Sequence, residues 1–297
     1  MKCDLCPRKC LVDRKKGEKG ICGQTENLKV ARAALHFWEE PCISGDAGSG
    51  AVFFSGCPLH CVFCQNENIA NGTVGKEISV ERLAEIFLEL QEKGANNINL
   101  VTPGHFVPQI TKALDLAKQE GLKLPIVYNT SSYETVETIK RLEGYVDIYL
   151  PDFKYMSPGL SKKYSHAQDY AEVAKAAIAE MVRQTGKAVF VNGDEDNLIL
   201  RGTIVRHLTL PGCMADSMQI LKYLHETYGD MIYISIMNQF TPLSNLEKYP
   251  ELNRRITDEE YETLVDYAIE IGIENGFIQE GDTAEESFIP AFDCEGV

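Results

Sequence analysis

Cys57, Cys61 and Cys64 lie close together in the stretch SGCPLHCVFCQN. At these spacings one loop can place three thiolates around a cubane 4Fe-4S cluster, with each thiolate binding one iron atom. The fourth iron then has no protein ligand and is open to a small molecule. A structural zinc site needs four closed ligands, and the nearest other cysteine, Cys42, lies upstream of the motif. The spacing therefore favours a reactive iron-sulfur centre over a structural zinc site.

Four more cysteines precede this motif, and their spacing allows one tetrathiolate metal site. A short extension without a core of its own often needs such a metal for stability. Zinc and an auxiliary iron-sulfur cluster both fit the spacing, and both alternatives stay open. The predicted ligands of this second site are Cys3, Cys6, Cys10 and Cys22.

Composition indicates a folded protein with few surfaces suited to nucleic acid. Hydrophobic residues make up 44% of the 297 residues, and the formal net charge is −15, which opposes binding to a phosphate backbone. The start of the chain lacks a secretory signal, and the sequence contains no apolar run long enough to span a membrane. Ten cysteines without an export signal favour reduced thiols, so we expect a cytoplasmic protein.

Six short apolar runs predict the strands that must position these cysteines. Helical patterns separate the runs, including a helix capped by Ser79 and another with a Thr257–Glu260 capping box. Alternation of this kind predicts βαβ units in a parallel sheet, with reactive residues at the carboxyl ends of the strands. The runs are AVFF, INLV, PIVY, DIYL, TIVRHLTL and IYISI.

The predicted fold is α/β, a partial (β/α)6 TIM-like barrel with a small cysteine-rich N-terminal extension. The extension covers residues 1–50 and is expected to bind metal. The barrel covers residues 51–278, and residues 279–297 form a C-terminal tail.

The stretch CPLHCVFC resembles the CxxxCxxC motif of the radical S-adenosylmethionine (radical SAM) enzymes. FFSGCPLHCVFCQN is similar to the pyruvate formate-lyase activating enzymes, and the similarity continues to about residue 275. The phrases YLPDFKY and VRHLTLP, with the cysteine-rich start, look most like PflX-type homologues. The resemblance implies that SAM binds the open iron and that reduced flavodoxin or ferredoxin supplies the electron. Reductive cleavage would then give a 5′-deoxyadenosyl radical that abstracts hydrogen from a substrate.

The same resemblance implies which side chains meet SAM. Phe63, directly before the last cysteine, falls where family members place a ring beside adenine. Gly104 matches the second glycine of a Gly-Gly-Glu motif, and His105 replaces its glutamate. Asp152 and Lys154 match an Asp-Leu-Lys motif near the methionine carboxylate. His105 and Lys154 are the predicted catalytic residues.

Further cofactor contacts follow from three other strands. Asn129 and Thr130 replace an Asp-Thr pair that helps to hold a monovalent cation. Arg206 matches a strand arginine that can bind a carboxylate, and its neighbour His207 must face the opposite side of the strand. Asn238 or Gln239 falls near a family histidine that lies beside SAM, and Gln239 is the predicted contact.

Hydrogen abstraction from a polypeptide, with activation of a glycyl-radical enzyme as the specific case, is what the resemblance implies. Radical modification of a peptide or a small metabolite is the alternative within the same class. An iron-sulfur or zinc protein that carries electrons without catalysis is the alternative from another class.

Overall fold

The computed structural model of this protein describes residues 2–194, 197–243, 246–279 and 290–297. The strands are β1 (Leu28–His36), β2 (Ser49–Phe54), β3 (Lys76–Ile78), β4 (Ile98–Val101), β5 (Ile126–Thr130), β6 (Ile148–Pro151), β7 (Val189–Phe190), β8 (Ile199–Leu208), β9 (Tyr233–Met237) and β10 (Gly276–Ile278). The α-helices are α1 (Pro41–Ser44), α2 (Glu67–Ala70), α3 (Val80–Glu92), α4 (Val107–Gln119), α5 (Val136–Lys140), α6 (Pro158–Ser165), α7 (Tyr170–Thr185), α8 (Met214–Tyr228) and α9 (Asp258–Glu270).

The six predicted strands are all present, as β2, β4, β5, β6, β8 and β9. They lie side by side in that order, each parallel to the next, and β10 extends the series beyond β9. Within the described residues the sheet runs as an open path from β3 to β10 and does not close on itself. The predicted partial barrel is confirmed.

The strands β2, β4, β5 and β6 are buried on both faces, as expected where helices cover one face and the barrel interior lies on the other, whereas the edge strand β10 is largely exposed. On the outer face, Leu100 and Tyr128 belong to a core that includes residues of α3 and α4. On the inner face, Ile148 and Ile204 pack with Ile43 of α1, which lies inside the barrel. Apolar packing therefore fills one part of the interior and leaves another part for polar groups.

Both predicted helix caps are present. The hydroxyl of Ser79 accepts a hydrogen bond from Arg82 N at 3.1 Å where α3 begins. At the start of α9, Thr257 and Glu260 form the complete capping box. These local bonds satisfy backbone donors that a helix start leaves open.

The predicted N-terminal extension and C-terminal tail both contribute residues that lie along the sheet. β1 pairs antiparallel with β2, so residues 28–36 share a sheet with the barrel strands. Two bonds link this strand to the chain end: Cys294 N donates to Ala31 O at 3.0 Å, and Ala33 N donates to Glu295 O at 2.8 Å. The boundaries at 50 and 278 stay predictions, and residues 280–289 of the tail lie outside the described residues.

Among the described residues, no helix combines the length and apolar character needed to cross a bilayer.

Candidate active site

A cavity of about 260 Å³ lies inside the partial barrel and reaches the ends of β4, β5, β6 and β8. Its volume is close to the lower end of the range for small-molecule sites, about 300–1,000 Å³. One wall is the segment between β2 and α2 that we call the cysteine loop, residues 57–64. The predicted site residues that line the cavity are Cys57, Cys61, Phe63, Cys64, Asn129, Thr130, Asp152, Lys154, Arg206 and Gln239.

The position directly before the cysteine loop requires a glycine. Gly56 has a φ of +92°, and a Cβ there would overlap the carbonyl oxygen of Cys22. Burial raises the pKa of Cys57 to about 11 and also raises the pKa values of Cys61 and Cys64, whereas the nearby ammonium group of Lys154 lowers all three. Three half-buried thiols whose ionisation is favoured by nearby positive charge are a donor set that fits an iron-sulfur cluster.

Asp152 joins two cations at the cavity wall. Lys154 Nζ lies 2.7 Å from Asp152 Oδ2, and Arg206 Nε lies 3.1 Å from Asp152 Oδ1. Burial alone would raise the pKa of Asp152, but the two cations outweigh burial and hold that pKa below its usual value. Burial alone would likewise lower the pKa of Lys154, but the Asp152 carboxylate and the Cys61 sulfur keep it above its usual value. All three side chains are therefore charged within the fold.

Glu39 is a member of this charged network that sequence reasoning missed. It lies between β1 and α1, and its Oε2 accepts a hydrogen bond from Arg206 Nη1 at 2.9 Å. Its Oε1 accepts from the side-chain amides of Asn99, at 3.0 Å, and Asn129, at 3.1 Å. The only signal in the sequence is an acidic pair, Glu39 and Glu40, directly after the alternating pattern of a strand.

The two cations of this network, Arg206 and Lys154, differ in how many hydrogen bonds they make within the protein. All three guanidinium nitrogens of Arg206 donate to protein oxygens, those of Asp152, Glu39 and Asn129. Lys154 Nζ carries three donors and uses one of them on Asp152. Counted in N–H groups, these bonds leave two donors on each cation, but Arg206 is held by three partners and Lys154 by one, so Lys154 has more freedom to turn a donor towards the carboxylate of a ligand.

The structure places Gly104 and His105 behind the cavity wall. His105 is 3% exposed, its Nε2 lies 2.7 Å from Ser55 O, and burial lowers the pKa of its ring to about 3. A Cβ on Gly104 would overlap the carboxylate of Glu134, and Glu134 in turn accepts from Thr130 Oγ1 at 2.9 Å. The predicted catalytic role of His105 stays a prediction, and the position of Gly104 has a packing explanation.

We expect Gly104→Ala to destabilise the protein by about 1–3 kcal/mol, because the added methyl group overpacks a buried site. The Glu134 carboxylate cannot retreat without losing its bonds to Thr130 and Tyr128. Urea unfolding measures the change. Gly159→Ala is the matched control, since a Cβ there makes only ordinary contacts, and equal effects in the two variants would contradict the prediction.

Phe63 lies in an aromatic shell beside the cavity. Its ring makes edge-to-face contacts with Tyr155, Tyr164 and Phe240, with centroids 6.0–6.5 Å apart. Gln239 lines the same cavity, and its carbonyl oxygen accepts from Gln65 Nε2 at 2.7 Å. Packing thus fixes the ring that the sequence predicts beside adenine.

The four N-terminal cysteines lie near one another. Burial raises the pKa of Cys6 to about 12, and the charges of Cys22 and Cys10 contribute to that rise. Cys3 and Cys10 act on Cys22 in the same way, and Ile21 N lies 3.3 Å from Cys10 Sγ. Across the described residues, no three His, Cys, Asp or Glu side chains converge on one metal position. A polynuclear cluster needs less convergence than a single zinc ion, because each thiolate binds a different iron.

The segment that carries these cysteines packs against the cysteine loop. Arg8 Nε donates to Pro58 O at 2.8 Å, and His60 Nε2 lies 2.7 Å from Ile21 O. Arg14 Nη1 donates to the carbonyl oxygen of His105 at 2.5 Å. Contacts of the N-terminal segment therefore reach both the predicted cluster ligands and the loop after β4.

His207 faces the helix side of β8, as the alternation along the strand predicts. Its ring nitrogens lie 2.7 Å from Phe153 O and 2.8 Å from Ser217 Oγ of α8. Burial lowers the pKa of this imidazole from 6.5 to about 4.

The lowered pKa of His207 predicts that the folded protein loses stability in acid. Between pH 6.5 and about 4 the unfolded chain protonates this histidine and the folded chain does not. The stability that His207 contributes is therefore present above pH 6.5 and is lost as pH falls towards 4, by about 3 kcal/mol. Unfolding measured at several pH values should show that the free energy of unfolding falls more in the wild type than in His207→Gln over this range. Equal falls in the two proteins would contradict the prediction.

Three half-buried thiols beside a charged network, at the strand ends of an open parallel barrel, are an arrangement typical of a cofactor-binding α/β enzyme. Residues 51–199 match the family model of the Radical SAM superfamily, a span that covers half of the chain. This chain belongs to the radical SAM superfamily. Membership implies an enzyme that uses a 4Fe-4S cluster and SAM.

One curated relative and two solved structures are similar to this chain. Uncharacterized protein MJ0674 of Methanocaldococcus jannaschii is 27% identical over 276 residues, which cover 90% of this chain and 74% of the relative. SuiB of Streptococcus suis bound to S-adenosylmethionine gives a TM-score of 0.51 at 12% identity, over 76% of this chain and 48% of SuiB. HydG, a maturase of the [FeFe]-hydrogenase, gives 0.51 at 15% identity, over 78% of this chain and 52% of HydG. This chain spans about half the length of these two solved chains, which share its fold.

Proposed function

We propose that this protein reductively cleaves SAM and uses the resulting 5′-deoxyadenosyl radical to abstract hydrogen from a polypeptide. The observation that carries the proposal is that three half-buried thiols and the Lys154–Asp152 ion pair line one cavity. The 4Fe-4S cluster supplies the electron when bound. The chain's own residues bind SAM, orient it and exclude water from the reaction.

Each residue has a role that follows from its position. Cys57, Cys61 and Cys64 hold the cluster. Lys154 donates to the methionine carboxylate, and Asp152 keeps that ammonium group charged and in place. The fixed ring of Phe63 stacks beside adenine.

Polar side chains on the neighbouring strands complete the cofactor site. Gln239, Asn129 and Thr130 offer hydrogen bonds to the rest of SAM. Arg206 contributes indirectly, because it orients Asp152 and Asn129.

A polypeptide substrate is favoured by the exposed aromatic surface beside the cavity. Trp38, which lines the cavity, is 56% exposed, and the adjacent Phe37 is 50% exposed. Large exposed aromatic side chains commonly anchor peptides. SuiB has been solved bound to its precursor peptide SuiA, so the shared fold can serve a polypeptide. Activation of a glycyl-radical enzyme is the specific reaction we propose, and modification of a small metabolite is the alternative.

The direct test is anaerobic reconstitution with iron and sulfide, followed by SAM and dithionite. We expect 5′-deoxyadenosine from the wild type and none from Cys61→Ala. Cys42→Ala is the control, because Cys42 is a buried thiol that lies outside the loop and outside the cavity lining. Equal product from wild type and Cys61→Ala would overturn the proposal, and reversible reduction without product would favour an electron carrier.

We propose reduced flavodoxin or ferredoxin as the electron donor and the cytoplasm as the compartment. All ten cysteines are free thiols, as a reducing compartment requires. Replacing dithionite with each reduced donor tests the first part, and no 5′-deoxyadenosine with either would contradict it.

We also propose a second metal site at Cys3, Cys6, Cys10 and Cys22, which bind either zinc or an auxiliary iron-sulfur cluster. Metal analysis of the Cys57/Cys61/Cys64 triple alanine variant separates the two sites. One equivalent of zinc would identify a structural metal, and residual iron with sulfide would identify an auxiliary cluster. A variant free of both would overturn the second site.

A further inference from the structure

Cys61 is distinguished within the cysteine loop by a hydrogen bond from a side chain to its sulfur, whereas backbone N–H groups donate to the sulfurs of Cys57 and Cys64. Ser165, the last residue of α6, places its Oγ 3.0 Å from Cys61 Sγ. Ser165 is fully buried, so water does not compete for this bond. The hydroxyl of Tyr155, also buried, lies 2.8 Å from Ser165 Oγ.

The directions of these bonds follow from proton count. A thiolate sulfur bound to iron has no proton and can only accept, so Ser165 must donate its single proton to Cys61. Ser165 Oγ then accepts from Tyr155. Burial keeps the pKa of Tyr155 well above its usual value, and the charge of Cys61 adds to this rise, so the phenol retains its proton. The result is a two-step chain of donors from Tyr155 through Ser165 to Cys61.

Hydrogen bonds to backbone carbonyls hold Ser165 close to the sulfur of Cys61. Val62 N, next to Cys61, donates to Tyr164 O at 2.9 Å, which ties the cysteine loop to α6. Arg8 of the N-terminal segment donates to Pro58 O, Ser165 O and His166 O. One guanidinium group therefore bridges the cysteine loop and the end of α6.

We propose that Ser165, oriented by Tyr155, donates a hydrogen bond to the cluster sulfur of Cys61 and raises the reduction potential of the 4Fe-4S cluster. Hydrogen bonds to cluster sulfurs are one determinant of that potential. The one-electron reduced cluster carries more negative charge, so a donor at sulfur stabilises it more than the oxidised form. The inference rests on the proposed function, because it requires the cluster at Cys57, Cys61 and Cys64.

The test is an EPR-monitored redox titration of the reconstituted full chain, first without SAM. We expect the midpoint potential of Ser165→Ala to be more negative than that of wild type. Tyr155→Phe keeps the ring and should shift the potential in the same direction by a smaller amount. Ser161→Ala is the matched control: Ser161 is equally buried on α6, but its hydroxyl bonds Pro158 O and should leave the potential unchanged.

The outcomes separate this inference from the proposed function. If Ser165→Ala binds a complete 4Fe-4S cluster and its midpoint potential equals that of the wild type, the inference is overturned. The proposed function then still stands, provided that the wild-type protein makes 5′-deoxyadenosine. A wild type that assembles no cluster at these cysteines overturns both. If Ser165→Ala does not fold or does not bind a cluster, the test uses Tyr155→Phe instead. A midpoint potential of Tyr155→Phe equal to that of the wild type would then overturn the inference.

Discussion

Arg206→Leu is expected to destabilise the protein by about 3–5 kcal/mol, because removing one partner of a buried ion pair leaves uncompensated charge. Arg206 bonds Glu39 and Asp152 at 2.9 and 3.1 Å, and the three side chains are at most 14% exposed. Asp152 keeps Lys154, so most of the loss arises from Glu39, whose remaining partners are neutral amides. Urea unfolding of the cluster-free protein measures the change.

Two companion variants identify the cause of this loss. Arg201→Leu makes the same substitution at an exposed position of β8 and should change stability by no more than about 0.5 kcal/mol. Adding Glu39→Gln to Arg206→Leu should recover part of the loss, because it removes the unpaired charge. No recovery in the double variant would mean that lost packing, and not charge, explains the effect.

Lys154→Met should weaken SAM binding to the cluster-loaded protein by about 10- to 100-fold. A charge-assisted hydrogen bond contributes about 1.5–3 kcal/mol, and tenfold in affinity corresponds to about 1.4 kcal/mol. Methionine keeps much of the aliphatic length of lysine. Asp152 still pairs with Arg206, so the variant loses the donor at position 154 but keeps the ion pair that neutralises Asp152. Equilibrium dialysis of SAM against the protein with its cluster oxidised, a state in which SAM is not cleaved, measures the effect.

The control for this variant is Lys175→Met, which removes a lysine paired with Glu172 on α7, outside the cavity lining. It should bind SAM as wild type does. If Lys154→Met also binds SAM normally, Lys154 does not donate to the cofactor, and the cavity needs another cation for the carboxylate.

The sequence predicts the barrel well because its signals are local. Each inner strand is a short apolar run bounded by polar residues, and each predicted helix cap involves residues a few positions apart, as at Ser79 and Thr257. Parallel order then brings the strand ends together, so Asp152, Lys154 and Arg206 share one cavity without any further information.

The missed parts of the site depend on contacts between distant segments. Glu39 meets Arg206 from a segment that follows an antiparallel strand, and no periodic pattern records that approach. Ser165 reaches Cys61 because α6 ends beside the cysteine loop, which is a matter of tertiary packing. His105 reads as a strand-end residue facing a ligand, yet its ring is buried against Ser55 because the chain turns at Gly104.

The bridge made by Arg8 has a consequence for the order of events during synthesis. Its guanidinium joins carbonyls at positions 58, 165 and 166, so the cysteine loop is held in place only after more than half of the chain has emerged. At typical translation rates of about 5–20 residues per second, the first cysteines wait for seconds before their final partner arrives. The contacts that fix this loop are therefore completed only after α6 has been synthesised.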